Sequence, residues 1–338
     1  MSDTTSATTD TAPRETASRK TGPRATGRGL LHGTAWVVYR RHRTALLACV
    51  LITAAACAVY AYQRIGVLDF VHAKGATPDS KGELLEEFQS TFHAMFTRDI
   101  ALLQYVPVLI GVFLGAPLIA AEQERGTLRL VTTQSVSRGR WLATTLALPL
   151  AVTAVCVTAL SVTFQWLWTP VHQLEDFGDW LSSGPFDVTG PVPVARTLFL
   201  TACGIALGML LKRVVPAMAA TFVLWFVTGE LWSRLRPRLG TPHSVTYPYN
   251  GDGPHLPPAS VRFDDWVATA DGRLYGFGTC VHADEAACRA KLGIVNRVTQ
   301  YFDFGQMAGM QWRGAGILLA LTAVVLAFVV WQARRRPL

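Results

Sequence analysis

The residues with the most chemical promise lie in one stretch, GAPLIAAEQERGTLRLVTTQSVSRGRW at 115–141, where an apolar run stops at Glu122, Glu124, Arg125, Gly126 and Thr127. Paired carboxylates serve general acid–base catalysis when both reach one substrate atom. Two residues apart on a helix, Glu122 and Glu124 point about 200° away from each other and cannot do so. Their spacing suits other work: Glu122 can pair with Arg125 one turn on, and Glu124 is left to face a partner. Gly126 permits a turn and Thr127 is an N-cap for a short helix. On that helix Leu128 and Val131 share one face, and Arg125 and Arg129 remain for polar contacts. A short helix with a small apolar face fits a groove on a soluble protein. The alternative is an ordinary solvated loop.

Other catalytic patterns are absent from the sequence. It has no Gly-x-x-x-x-Gly-Lys-Ser/Thr phosphate loop, no His-Glu-x-x-His and no Gly-x-Ser-x-Gly, so no residue is assigned as catalytic. Cys280, His282 and Cys288 offer three ligand groups without a fourth at a recognised spacing, so a Cys280–Cys288 disulfide is favoured over a metal site. Cys49, Cys57, Cys156 and Cys203 fall in apolar runs, where a thiol behaves as a small hydrophobe.

Half of the 338 residues are hydrophobic and 16% are charged. The apolar residues gather in six blocks near 44–62, 100–121, 142–168, 194–211, 214–232 and 314–331. Blocks of about 20 residues span a bilayer core of about 30 Å. The net charge of +8 is distributed as the positive-inside rule requires. Arg40, Arg41, Arg43, Arg125, Arg129, Arg138, Arg140, Lys212, Arg213 and Arg334–Arg336 share one side if both termini are cytoplasmic. The 169–193 connection carries Glu175, Asp176, Asp179 and Asp187 with no Lys or Arg. With no basic stretch on a soluble fold, nucleic acid is not an expected partner; membrane lipid is.

The expected organisation is a disordered cytoplasmic tail over 1–28 and an interfacial helix, or a leader of the first span, over 29–43. Spans one to five follow over 44–232, with a cytoplasmic turn at 122–141. An extracellular α+β cap over 233–313 precedes the sixth span and basic tail at 314–338. In the first outer connection, Leu84, Leu85, Phe88, Phe92 and Phe96 predict a short amphipathic helix. In the cap, Asp271-Gly272 between strand-like runs predicts a hairpin, and Asp284 an N-cap. Gly111-x-x-x-Gly115 and Gly204-x-x-x-Gly208 allow close helix approach, within one subunit or between two. Pro107, Pro117 and Pro216 permit kinks. Gln104 and Glu230 are the polar groups to line a path, with Arg234 the simpler partner for Glu230.

At the acidic Gly-Thr turn the sequence resembles the permease subunits of type 2 ABC exporters, and the order of six spans with a cap before the last extends that resemblance from about residue 29 onward. The resemblance implies an all-α polytopic permease in the plasma membrane, forming half of an export pathway with a second permease subunit. It implies that Glu122, Glu124, Gly126, Thr127, Leu128 and Arg129 contact a separate ABC ATPase, which binds the ATP and Mg that this chain does not. Apolar spans suit a lipophilic cargo such as a lipid, drug or antibiotic. The rival readings are a non-transporting scaffold or sensor with the cap as receptor surface, and a membrane-embedded enzyme.

Overall fold

A computed structural model describes residues 34–77, 80, 82–126, 138–174, 179–181, 184–281 and 284–335. The fold is mostly helical, and among these residues six helices are long and apolar enough to cross a membrane. The chain runs α1 (Thr34–Lys74), α2 (Glu83–Ile110), a π-helical turn (Gly111–Gly115), α3 (Ala116–Glu124), α4 (Arg138–Trp168), a short α5 (Pro185–Val188), α6 (Val192–Leu211) and α7 (Val214–Leu235). The cap follows with β1 (His243–Pro248), β2 (Val261–Thr269), β3 (Leu274–Gly276), α8 (Glu285–Leu292) and β4 (Ile294–Phe302), and α9 (Gln306–Arg335) ends the fold.

The helices reach further than the apolar blocks. Residues 34–43 continue the 41-residue α1 without a break. At 1.5 Å per residue, that length is about twice a bilayer core. The amphipathic helix expected in the first connection is likewise no separate element. It is the first half of α2, with Phe88 and Phe96 buried. Its phenyl rings pack on α1, where Phe70 lies 5.7 Å from Phe88 and 5.5 Å from Phe92, and Lys74 bonds Glu87 at 2.9 Å. Burial of these rings holds the two helices together beyond the apolar blocks. Large apolar side chains on α1 (Leu51, Ile52) and α7 (Val215, Val223) stay exposed, as lipid-facing surfaces do.

The second membrane segment crosses α6 through its glycines. A Cβ on Gly204 would meet the Gly111 carbonyl oxygen at 2.6 Å, and one on Gly208 would meet that of Ala116 at 2.3 Å. A Cβ on Gly115 would lie 2.7 Å from the Thr201 oxygen, and one on Gly111 2.9 Å from Leu200 Cγ. The two motifs therefore pack against each other within one chain. Pro117 has no N–H for the helical ladder, and the ladder shifts just before it: the Ala116 N–H bonds the Gly111 carbonyl, closing the π-turn at the crossing. Pro216 produces no such break, because it sits in the first turn of α7, where the helix needs no donor.

Four buried hydroxyls are satisfied locally, Thr197, Thr201, Thr221 and Thr322 each donating to the carbonyl four residues back. Lys212, in the left-handed region at φ 57°, closes α6 by donating to the Gly208 carbonyl, so that α6 and α7 reverse through two residues.

The cap is an antiparallel sheet of order β1-β4-β2-β3. Asp271 and Gly272 turn β2 into β3, with Gly272 at φ 85°. Thr269 hydrogen-bonds the Asp271 carboxyl and holds it below the usual carboxylate range. Asp284 caps α8 by accepting from Ala286 and Ala287, and Cys280 is disulfide-bonded to Cys288 on that helix. Val261 and Phe302 seat the sheet on the main bundle core beside Met310.

Gly208→Ala should lower the thermal midpoint in detergent, since overpacking costs about 1–3 kcal/mol. Gly316→Ala, whose Cβ meets nothing within 4 Å, should not lower it. Equal behaviour of the two would refute the crossing. Replacing Cys280 and Cys288 with Ala should release about 2.5 kcal/mol of loop constraint; faster amide exchange confined to α8 and β3 would show it.

Candidate functional site: a polar cavity at the Asp187 hub

The segment from Gly184 to Pro191 is short, bracketed by Gly and Pro, and folded into the cap end of the helical bundle. Pro185, Phe186, Asp187 and Val188 are all buried on α5. Gly184 turns with φ 122° and Gly190 with φ 64°, conformations that suit glycine. Three of the helices around this segment, α4, α7 and α9, hydrogen-bond to it. Gln311 of α9 donates to the Phe186 and Thr189 carbonyls at 3.1 and 3.0 Å. Ser161 of α4 donates to the Gly190 carbonyl at 2.9 Å. Trp232 of α7 donates its indole N–H to Asp187 Oδ1 at 2.7 Å.

The other oxygen of Asp187 carries two cations. Arg196 Nη1, from α6, lies 3.2 Å from Oδ2, and Arg236 Nη1, just beyond α7, lies 3.4 Å from it. Arg236 also donates to the Leu181 carbonyl at 2.7 Å. The three side chains are 8%, 16% and 11% exposed in the order Asp187, Arg196, Arg236. Burial of this kind is costly for any ion that is not paired. Here two guanidiniums share one carboxylate.

These groups form one wall of a cavity of about 570 Å³, with Gln104, Trp225 and Glu230 on the others. Gln104 and Glu230, both expected to line a path, are thus brought to one chamber. Glu230 is 62% exposed and bonded to Arg234 through Nε and Nη2, each at 2.8 Å. A second, apolar cavity of about 160 Å³ adjoins the first: Arg196 and Trp225 line both, and Phe199, Leu231, Ile317 and Leu321 continue it.

At the other end of α7 lies the acidic turn. Glu122 is buried and Glu124 exposed. Glu124 Oε2 accepts the Val214 N–H at 3.0 Å, so this carboxylate caps the first turn of α7, where an anion is favoured. Glu124 therefore faces a helix of its own chain. Gly126 takes φ 67° as the turn requires. Thr127, Leu128 and Arg129 lie outside the described residues, as does His282. With Cys280 and Cys288 joined, neither thiolate is left for a metal.

Asp187, Arg196 and Arg236 escaped the sequence reading. Asp187 counts there as one more outer-loop acid, and Arg196 and Arg236 are not singled out. The available signal was an acid in the otherwise apolar PFDVTGPVPV, with an arginine inside the next span.

Asp187→Asn should be the most destabilising change at the hub, about 3–5 kcal/mol, because it leaves two buried guanidiniums without a counter-charge. Arg196→Gln retains a one-to-one pair and should lower the thermal midpoint less. The reverse order in a melting series would contradict this geometry.

Comparison with known proteins adds one match. The family model described as ABC-2 membrane transporter related aligns with residues 50–236, more than half of the chain and the segment holding α2–α7. No curated protein and no solved structure matches. Six membrane helices in this order, with the model spanning the first five, make the chain a multi-pass membrane permease that belongs to the ABC-2 membrane transporter related family.

Proposed function

We propose that this permease exports a lipophilic compound, driven by ATP hydrolysis in a separate ABC ATPase subunit that holds the ATP and Mg. Two permease subunits form the pathway. Both termini and the acidic turn face the cytoplasm, and the disulfide-bonded cap faces outward, where a disulfide is retained. Permeases of this family work with an ATPase subunit; the placement of that contact on the Glu122–Arg129 turn, with Glu124 turned inward to pass the force to α7, is our reading.

The observation that carries it is the link between turn and cavity. Glu124 holds the N-terminus of α7 through Val214, and Trp232, at the far end of α7, holds Asp187. Over the 22 residues of α7 this is a lever of about 33 Å. A helix of that length moves as a rigid element, so force on the turn reaches the hub without an unfolded step. Closure of the ATPase on nucleotide pushes the turn, α7 shifts, and the wall formed by Trp225, Glu230 and Arg236 moves with it. In this reading the protein's part is mechanical.

Affinity capture of the tagged chain from native membranes in mild detergent should recover a P-loop ATPase, and Thr127→Pro should remove both its recovery and transport without affecting insertion. An intact chain that brings down no ATPase, even after crosslinking, would instead support the scaffold reading. Glu124→Ala should keep the ATPase bound but slow transport about tenfold, the effect of losing one charge-assisted hydrogen bond. Transport at the unaltered rate would dismiss the lever.

A further inference from the structure

We propose that the hub cavity binds an anionic amphiphile, its acidic group against Arg196 and Arg236 and its apolar body in the adjoining slot. The proposal deepens the transport reading by naming a cargo class and rests on it for passage, though not for binding.

Charge accounts for the acidic group. Asp187 neutralises one of its two guanidiniums, and Glu230, the other carboxylate on the wall, is engaged by Arg234. Counted with Arg234, which lies outside the cavity lining, the group has three guanidiniums to two carboxylates, one positive charge in excess beside Trp225 and Phe226. In such surroundings an unmatched ion is costly, and a bound anion removes the cost. Arg236 Nε is buried with no hydrogen-bond partner. A guanidinium offers a planar fork of donors that matches carboxylate or phosphate oxygens, so this is the chemistry the wall is built to hold.

Shape accounts for the apolar body. The polar chamber, about 570 Å³, falls within the size range of ligand sites. It shares Arg196 and Trp225 with a slot walled by Phe199, Leu231, Ile317 and Leu321. Leu231 is 62% exposed, which opens the slot along the lipid-facing side of α7. A molecule entering from the bilayer places its charge at the arginines while its chain remains among apolar side chains throughout. A polar solute from water leaves the slot empty, and a neutral lipid leaves the charge unmatched.

The shared chemistry fits a bilayer phospholipid or an exported amphiphile, and the test separates them. The purified full-length chain in neutral detergent is titrated with dodecyl phosphate, dodecanol and dodecylamine, following the thermal midpoint and tryptophan fluorescence. Dodecyl phosphate should raise the midpoint while dodecanol and dodecylamine do not. Arg196→Gln should weaken its binding about 30-fold, the scale of losing one buried charge partner. Leu231→Trp, filling the slot from its exposed edge, should weaken it with the arginines intact, and Arg238→Gln, at an exposed position, should leave it unchanged. Equal responses to the three probes, or full binding in both Arg196→Gln and Leu231→Trp, would overturn the site.

In proteoliposomes with the captured ATPase, ATP-dependent movement of a fluorescent dodecyl phosphate that Arg196→Gln abolishes identifies cargo. Phospholipid retained by the wild-type chain and lost from Arg196→Gln, without such movement, identifies a lipid site and still upholds the binding proposal. Failure to recover an ATPase bears on the transport reading alone, because the binding titration needs only this chain.

Discussion

The structure depends on one carboxylate. Asp187 sits at the cap end of the bundle with a tryptophan on one oxygen and two arginines on the other, contributed by α6 and by both sides of the α7 end. In an environment that solvates ions poorly, such a group is either fully bonded or costly. That sets the arrangement around it: α5 must turn inward, Gly184 and Gly190 must adopt left-handed backbone, and Gln311 and Ser161 must satisfy the carbonyls that the turn exposes. The short connection between α4 and α6 thus acts as the node where four membrane helices are joined.

At the other end, close approach takes the place of charge. The glycine faces of α6 and the second membrane segment bring backbone against backbone, and the π-turn at Gly111–Gly115 lies in that contact. A tightly packed crossing has little freedom to slide. α7 differs: apart from its two ends it offers large apolar side chains to the bilayer and little buried surface. One helix lightly held along its length and bonded at both ends is the element on which the proposed coupling rests.

The cap is a separate solution to stability outside the bilayer. Its own core is small, centred on Val267, Cys280 and Ile294, and a small core needs additional constraint. The disulfide to α8 supplies one, and the seating of Val261 and Phe302 in the bundle core supplies another.

The six spans, the permease resemblance, the Asp-Gly hairpin, the Asp284 cap and the cysteine pair were all legible in the residues, because each rests on local composition or spacing: apolar run length, turn chemistry, and cysteines at short separation. The glycine motifs were legible as contact faces, but only the fold showed that they meet each other in one chain. The first connection was misjudged as separate from the spans, since a helix continues through an apolar boundary whenever side chains above it find packing partners, as Phe88 does on Phe70. The hub was illegible for a different reason. Its charges come from positions 187, 196 and 236, and pairing across such separations carries no periodicity. Composition and pattern determined that this chain crosses a membrane and roughly where. Which charges are buried together, and the cavity they line, was decided only by the tertiary packing that brought them to 3.2 and 3.4 Å, where pairing offsets the cost of leaving water.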